Sequence, residues 1–115
     1  MKSSFDEERN NFELYLLETF DYSKKAAKDC ASRCKRIESK LSIDLSKAVS
    51  NTEEFENLSN EIQLYAVSIS KGKESAYSIT GTLRSAAKKY ALYLYPEKAK
   101  KYPTAHGKSK YATDS

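Results

Sequence analysis

A chain of 115 residues is long enough for one domain with a single modest hydrophobic core. A hydrophobic fraction of 39% suffices for a folded protein, so disorder along the whole chain is not expected. The net charge of +4 is small, so it indicates a partner only if the basic residues are unevenly spread along the chain. No apolar run approaches the roughly 18 residues of a membrane span, and the N-terminus has no apolar signal core, so a cytoplasmic protein without a membrane partner is expected.

The first 70 residues contain neither proline nor glycine, so nothing in them breaks a helix outright. Ser4 followed by Glu7 has the pattern of a capping box, which predicts a first helix over about 5–21. Ser23 is the expected N-cap of a second helix that ends near residue 41. The positions expected to face the core in these two helices are Phe5, Phe12, Leu16, Phe20, Ala27, Cys30, Cys34, Ile37 and Leu41.

The sequence pattern over residues 42–95 predicts one short helical turn and two further helices. Residues 42–50 fit a single helical turn, and Asn51 is the expected N-cap of a third main helix. The segment KGKES at 71–75 is expected to be a loop, after which a last helix runs over about 76–95 until Pro96 ends it. The apolar positions of these two helices are Phe55, Leu58, Ile62, Ala66, Ile69, Ile79, Leu83, Ala86, Tyr90 and Leu94.

These elements define the fold class and the domain boundary. Residues 1–96 are expected to form an all-α, compact bundle of four to five helices, because strand-type alternation does not occur in the sequence. Residues 97–115 have no apolar period, so they are expected to form a flexible basic C-terminal tail.

The cysteines and the single histidine predict no metal site. Cys30 and Cys34 are four residues apart on one helix, a poor geometry for a disulfide, so both are expected to be reduced and packed inward. His106 is far from them in the sequence. The folded region contains no Gly-rich phosphate loop and no Ser/His/Asp set, so an enzyme or a bound cofactor is not expected.

Acidic and basic segments alternate along the chain. The net charge is −4 over residues 1–22, +5 over 23–41, −4 over 42–70, +4 over 71–96 and +3 over 97–115. Either basic helices pack beside acidic ones and their charges offset each other, or the basic elements share a surface that binds a polyanion. The bases of the second helix are spread over the half opposite its apolar stripe, where they meet solvent or a partner, which favours the polyanion.

The polyanion interpretation predicts a phosphate-binding surface on three elements. Arg84 and Lys88 are spaced i, i+4 on the last helix and are expected to point away from the core, with Tyr95 on the same face. Tyr102 and Tyr111 lie among lysines of the tail, where their rings are available for stacking. The expected DNA contacts are Lys24, Lys25, Lys28, Arg33, Lys35, Arg36, Lys40, Arg84, Lys88, Tyr95, Lys98, Lys100 and Lys101.

Two stretches, FELYLLETFDYSKKAAKDCASRCKRIESKL and TGTLRSAAKKYALYLYP, enclose an acidic helix and a short loop. Over about residues 10–96 this arrangement resembles the N-terminal SAM-like, core-binding domain of tyrosine recombinases and integrases. The matching positions are Phe12, Tyr15, Leu16, Ser23, Leu83, Arg84, Tyr90 and Leu94.

The resemblance implies a small helical bundle that clamps DNA and is not itself catalytic. It implies that the exposed bases of the second and last helices contact the DNA backbone, in a phage or mobile-element protein involved in DNA recombination. The stretch TAHGKSKY lacks the arginines of the family's catalytic site, so a stand-alone relative or a fragment of a longer protein is expected.

The sequence therefore predicts a non-catalytic protein that binds the backbone of double-stranded DNA without base specificity. The alternative is a small protein-binding module, such as a phage-type inhibitor or adaptor, that has no role with nucleic acid. The two functions differ in salt dependence, because binding to a DNA backbone weakens steeply as salt rises.

Overall fold

The computed structural model describes residues 3–102, and this range contains α-helices and no β-strand. The all-α bundle expected from the sequence is confirmed. No helix in this range is both long enough and apolar enough to cross a membrane. The helices are α1 (Ser4–Thr19), α2 (Lys24–Leu41), α3 (Leu45–Ala48), α4 (Thr52–Ile69), α5 (Lys73–Leu94) and α6 (Pro96–Ala99).

Polar side chains fix the starts of the first four helices. Ser23 and Asn51 cap α2 and α4 as expected, each accepting a hydrogen bond from a backbone N–H of the first turn. The capping box of α1 is one residue earlier than expected, since Ser3 and Asp6 form both of its hydrogen bonds. The hydroxyl of Ser4 instead lies near α3, where it donates to Ser46 at 2.9 Å.

The core forms where the apolar stripes of the helices meet. Phe5 and Phe12 of α1 both pack edge to face against Tyr90 of α5, with ring centroids 5.1 Å apart in each pair. Five expected core positions are not fully buried: Ile69 ends α4 and is exposed, and Phe20, Leu41, Ile79 and Leu94 are partly buried against the core. The expected positions that are buried are Phe5, Phe12, Leu16, Ala27, Cys30, Cys34, Ile37, Phe55, Leu58, Ile62, Ala66, Leu83, Ala86 and Tyr90.

Both cysteines are free thiols and face the core, as expected. The Sγ atom of Cys34 donates a hydrogen bond to the backbone oxygen of Ala86 at 3.4 Å, which joins α2 to α5. Burial raises the pKa of the Cys34 thiol, so this cysteine is protonated and acts as a small apolar group.

The bundle extends past the boundary expected at residue 96. After α5, Pro96 starts the short helix α6, and Ala99 and Tyr102 are both buried against the rest of the fold. The start of α5 is also earlier than expected, at Lys73, so the loop before it is shorter than KGKES. The remainder of the expected tail, residues 103–115, lies outside the described residues.

Candidate nucleic-acid interface

Helix α2 exposes all of its bases except Lys35, which is half-buried. The Nζ atom of Lys35 lies 3.0 Å from Asp6 Oδ2 and 3.7 Å from Glu38 Oε1. The hydrogen bond to Asp6 raises the pKa of Lys35, and the same bond lowers the pKa of the Asp6 carboxyl. Lys35 therefore joins α2 to α1 through an ion pair, and its expected contact with DNA stays a prediction that requires Asp6 to be displaced.

Arg33, Arg36 and Lys40 form a row along one side of α2, because they are spaced i, i+3 and i+7. All three are exposed, and none forms an ion pair with another residue in the range 3–102. Arg36 is held by Tyr65 of α4: its Nε donates to the phenol oxygen at 3.3 Å, and its guanidinium carbon lies 6.0 Å from the ring centroid. We call these three residues the α2 row.

The first part of α2 adds further exposed bases. Lys25 lies 3.4 Å from Asp29 one turn along the same helix, with both side chains largely in solvent. Lys24 and Lys28 form no ion pair with a described residue. An exposed pair on one helix contributes little to stability, so Lys25 remains accessible to a competing anion.

A polar groove of about 500 Å³ runs between α2 and the first half of α5. Small side chains of α5 make its floor, and Arg33 borders it from α2. Hydroxyl groups and guanidinium groups are the side-chain donors that proteins direct at phosphate oxygens. The residues that line this polar groove are Arg33, Tyr77, Ser78, Gly81, Thr82 and Ser85.

The polar groove is a feature that the sequence analysis missed. Ser78, Thr82 and Ser85 are spaced i, i+4 and i+7, so one side of α5 carries a stripe of small hydroxyl residues. This periodicity is visible in the sequence beside the apolar stripe of the same helix. The hydroxyl of Thr82 donates to the backbone oxygen of Ser78 at 2.9 Å, so it must give up that bond before it can donate to a phosphate.

Arg84 does not face a partner, contrary to expectation, because it is only 8% exposed between α4 and α5. Its Nη2 and Nε donate to the backbone oxygen of Ser59 at 2.8 and 3.2 Å, and Nη2 donates to Gln63 Oε1 at 3.3 Å. The buried face of α5 is wider than its stripe of large apolar residues, since Ala87 and Ala91 are also buried and let neighbouring helices approach. Arg84 lies within this widened face.

Lys88 and Tyr102 are likewise engaged within the fold. The Nζ atom of Lys88 donates to the backbone oxygen of Tyr102 at 2.9 Å, and its partial burial lowers the pKa of the amine. The Tyr102 ring stacks on Phe55 with centroids 4.9 Å apart, and its hydroxyl donates to Val49 O at 2.7 Å. Tyr102 is therefore buried and cannot stack on a base, so that expectation is wrong. The expected phosphate contact of Lys88 stays a prediction for an amine that is already bonded within the fold, and Tyr111 lies outside the described residues.

Lys98 of α6 lies beside the segment that follows α3. Tyr95 donates its hydroxyl to Ser46 O at 3.2 Å, so it fastens α6 to α3 and is not an exposed stacking platform. Lys98 is exposed, with its Nζ 3.0 Å from Ser50 O and 5.3 Å from the Tyr95 ring centroid. Lys100 and Lys101 are also exposed, and Lys100 lies 3.7 Å from a carboxylate oxygen of the neighbouring Glu97.

Protein-family models, curated proteins and solved structures all give no match to this chain. The likeness to the SAM-like recombinase domain therefore stays a prediction from the sequence. In the range 3–102, no group of three or more His, Cys, Asp or Glu side chains is arranged to hold a metal ion. The α2 row with its polar groove is the arrangement best suited to bind a ligand through charge.

Proposed function

We propose that this protein binds the phosphate backbone of double-stranded DNA, without catalysis, through the α2 row and the polar groove beside it. The observation that carries the proposal is the exposure of Arg33, Arg36 and Lys40 on one side of α2 without an ion-pair partner in the described range. Bases that pack against acidic helices would instead show such partners, as Lys35 does with Asp6.

The length of the α2 row suits several phosphates at once. Seven residues of helix separate Arg33 from Lys40, which corresponds to about 10 Å along the axis of α2. Double-stranded DNA carries one negative charge per about 1.7 Å of its axis, so a row of this length meets more than one phosphate. Lys24, Lys25 and Lys28 continue the basic surface toward the start of the helix.

We propose contacts with the DNA backbone in preference to readout of bases. Helix α2 contains no Asn or Gln, the residues that pair with the edge of adenine. Arginine can pair with guanine, but the guanidinium of Arg36 is already bonded to Tyr65 of α4. On the sequence resemblance alone, we further propose a cytoplasmic role in DNA recombination by a phage or mobile element.

The test is the binding of a labelled duplex of random sequence, measured by fluorescence anisotropy over a salt series. If three to five phosphates are contacted, the slope of log K against log salt should be about −3 to −5. The control is a protein of similar size and net charge that does not bind DNA. Failure to bind at low salt, or an affinity that does not change with salt, would contradict the proposal.

A further inference from the structure

Large apolar side chains are exposed at one end of the bundle, where α4 ends and α5 begins. Among the described residues, four of the five exposed large hydrophobic side chains belong to this helical hairpin: Leu64, Val67, Ile69 and Tyr77. Leu64 is 66% and Val67 is 57% exposed. Scattered apolar residues on a surface need no explanation, but a cluster of them marks a surface that meets a partner.

Two of these side chains, Val67 and Tyr77, line a second groove, which we call the hairpin groove. It has a volume of about 860 Å³ and lies between the last turns of α4 and the first turns of α5. Val67, Ala76 and Tyr77 supply apolar lining, and the hydroxyl of Thr80 is already bonded to the backbone oxygen of Ala76 at 2.7 Å. Leu64 lies three residues before Val67 on α4 and is exposed, so it adds apolar surface on the same side of that helix. An apolar surface of this length suits the side of a helix better than a small ligand.

The rim of the hairpin groove is basic. Lys71 and Lys73 line it, both are exposed, and neither forms an ion pair with a residue in the range 3–102. Glu74 alone is acidic among the described residues that line it. Helix α5 begins here after Gly72 without a side-chain cap from the described residues, so its first N–H groups add partial positive charge.

We infer that the hairpin groove docks an amphipathic helix of a protein partner that carries apolar residues along one stripe and carboxylates beside it. The stripe packs on Val67 and Tyr77, and the carboxylates meet Lys71, Lys73 and the start of α5. A second copy of this chain is a poorer occupant, because docking through the same end brings two sets of these lysines together.

This inference is independent of the proposed binding to DNA. Tyr77 lines both the hairpin groove and the polar groove, so the two surfaces are adjacent without sharing a base. A protein partner held at the hairpin groove would therefore lie next to the α2 row.

The test uses three synthetic helical peptides of about four turns each that share one stripe of Leu and differ in the flanking residues, which are Glu, Gln or Lys. Binding to the whole chain is measured by calorimetry, and the contact surface by changes in backbone amide NMR shifts. The Glu peptide should bind about tenfold more tightly than the Gln peptide, and the Lys peptide most weakly. The shifts should concentrate at residues 64–80.

Variants separate the apolar and the charged parts of the groove. Val67→Asp should weaken the Glu peptide by at least about tenfold, and Leu64→Gln should weaken it less. Lys71→Gln combined with Lys73→Gln should remove the preference for Glu over Gln while leaving binding of the Gln peptide intact. The matched control is Lys24→Gln with Lys25→Gln, which removes the same charge elsewhere and should change neither affinity; a melting curve checks that each variant is folded.

Three results would overturn the inference. The first is equal affinity for the three peptides, or binding of none of them. The second is full binding of the Glu peptide by a folded Val67→Asp variant. The third is a dimer in sedimentation that Val67→Asp dissociates, which would assign the apolar surface to a second copy of the chain.

Discussion

Arg84 differs from the other basic residues because its guanidinium is buried between two helices. It makes three hydrogen bonds to Ser59 and Gln63 of α4, so it joins α4 to α5. A hydrogen bond to a charged group contributes about 1.5–3 kcal/mol, and a methionine at this position would make none of the three bonds. We expect Arg84→Met to lower the free energy of unfolding in urea by about 2–4 kcal/mol.

Two further variants show whether a loss of stability in Arg84→Met comes from the lost hydrogen bonds. Arg84→Lys keeps the charge but cannot reproduce the fork of donors, so it should recover only part of the stability. Arg33→Met, at an exposed site, should change stability by no more than about 0.5 kcal/mol. If Arg84→Met instead left stability unchanged and weakened binding to a duplex, the internal role assigned to Arg84 would be wrong.

Tyr93 is expected to make the stability of the fold fall at high pH. Burial and the hydrogen bond that its hydroxyl donates to Glu8 raise the pKa of Tyr93 to about 12, and burial also raises the pKa of Tyr90. An unfolded tyrosine titrates near pH 10. Between about pH 10 and 12 the unfolded chain therefore loses a proton that the folded chain keeps, so stability is full below pH 10 and falls as pH rises.

Melting temperatures across that pH range, with tyrosinate absorbance recorded in parallel, test this linkage. Tyr93→Phe removes one of the shifted groups, so its stability should decline less steeply than that of the native chain. Tyr22→Phe is a control at a ring that does not bond to Glu8. Parallel declines in the native chain and in Tyr93→Phe would show that Tyr93 does not contribute.

At the scale of elements, most helices were predictable because their signals are local. Ser23 and Asn51 cap helices as read from the sequence, and the stripes that follow them have clear helical spacing. The start of α1 was not predictable to the residue, since SSFDEE contains two overlapping capping boxes. Ser3 caps α1 while the hydroxyl of Ser4 contacts Asp44 and Ser46 at the start of α3, which are remote in sequence.

Helix α6 was not predicted, because its signal in the sequence is short and its contacts are with residues remote in sequence. A helix of four residues has too few positions to show a period, so Pro96–Ala99 reads as the start of a polar tail. Its position depends on Tyr102, whose partners Phe55 and Val49 are distant in the sequence. Only the packed fold brings these residues together.

The same contacts predict that Tyr102 stabilises the packing of α6 against Phe55 and Val49. Replacing Tyr102 by Ala removes a buried ring and should lower the free energy of unfolding by about 3–5 kcal/mol. Replacing it by Phe keeps the ring and removes the bond to Val49, which should cost about 1 kcal/mol. Urea denaturation measures both, with exposed Lys101→Ala as the control; unchanged stability in Tyr102→Ala would mean that α6 does not dock.

At the scale of the whole molecule, internal compensation accounts for some of the alternating charges but not for all of them. Lys35 pairs with an acid of α1, as internal compensation requires, and Arg84 is buried against α4. The α2 row keeps its charge exposed. Helical spacing predicted which bases lie opposite the apolar stripe of α2, but not which bases find internal partners, because those partners belong to other helices.

The triple variant Arg33→Gln, Arg36→Gln and Lys40→Gln separates these roles in one molecule. If the row contacts phosphates, the variant should bind all duplexes more weakly, and its salt slope should be shallower by about three units. Its stability should change little, because each exposed substitution usually stays within about 0.5 kcal/mol. The matched control, Lys47→Gln with Lys71→Gln and Lys73→Gln, removes the same charge and should lower the affinity only slightly. A triple variant that melts at a lower temperature but binds duplexes with an unchanged salt slope would show that the row stabilises the fold and does not bind DNA.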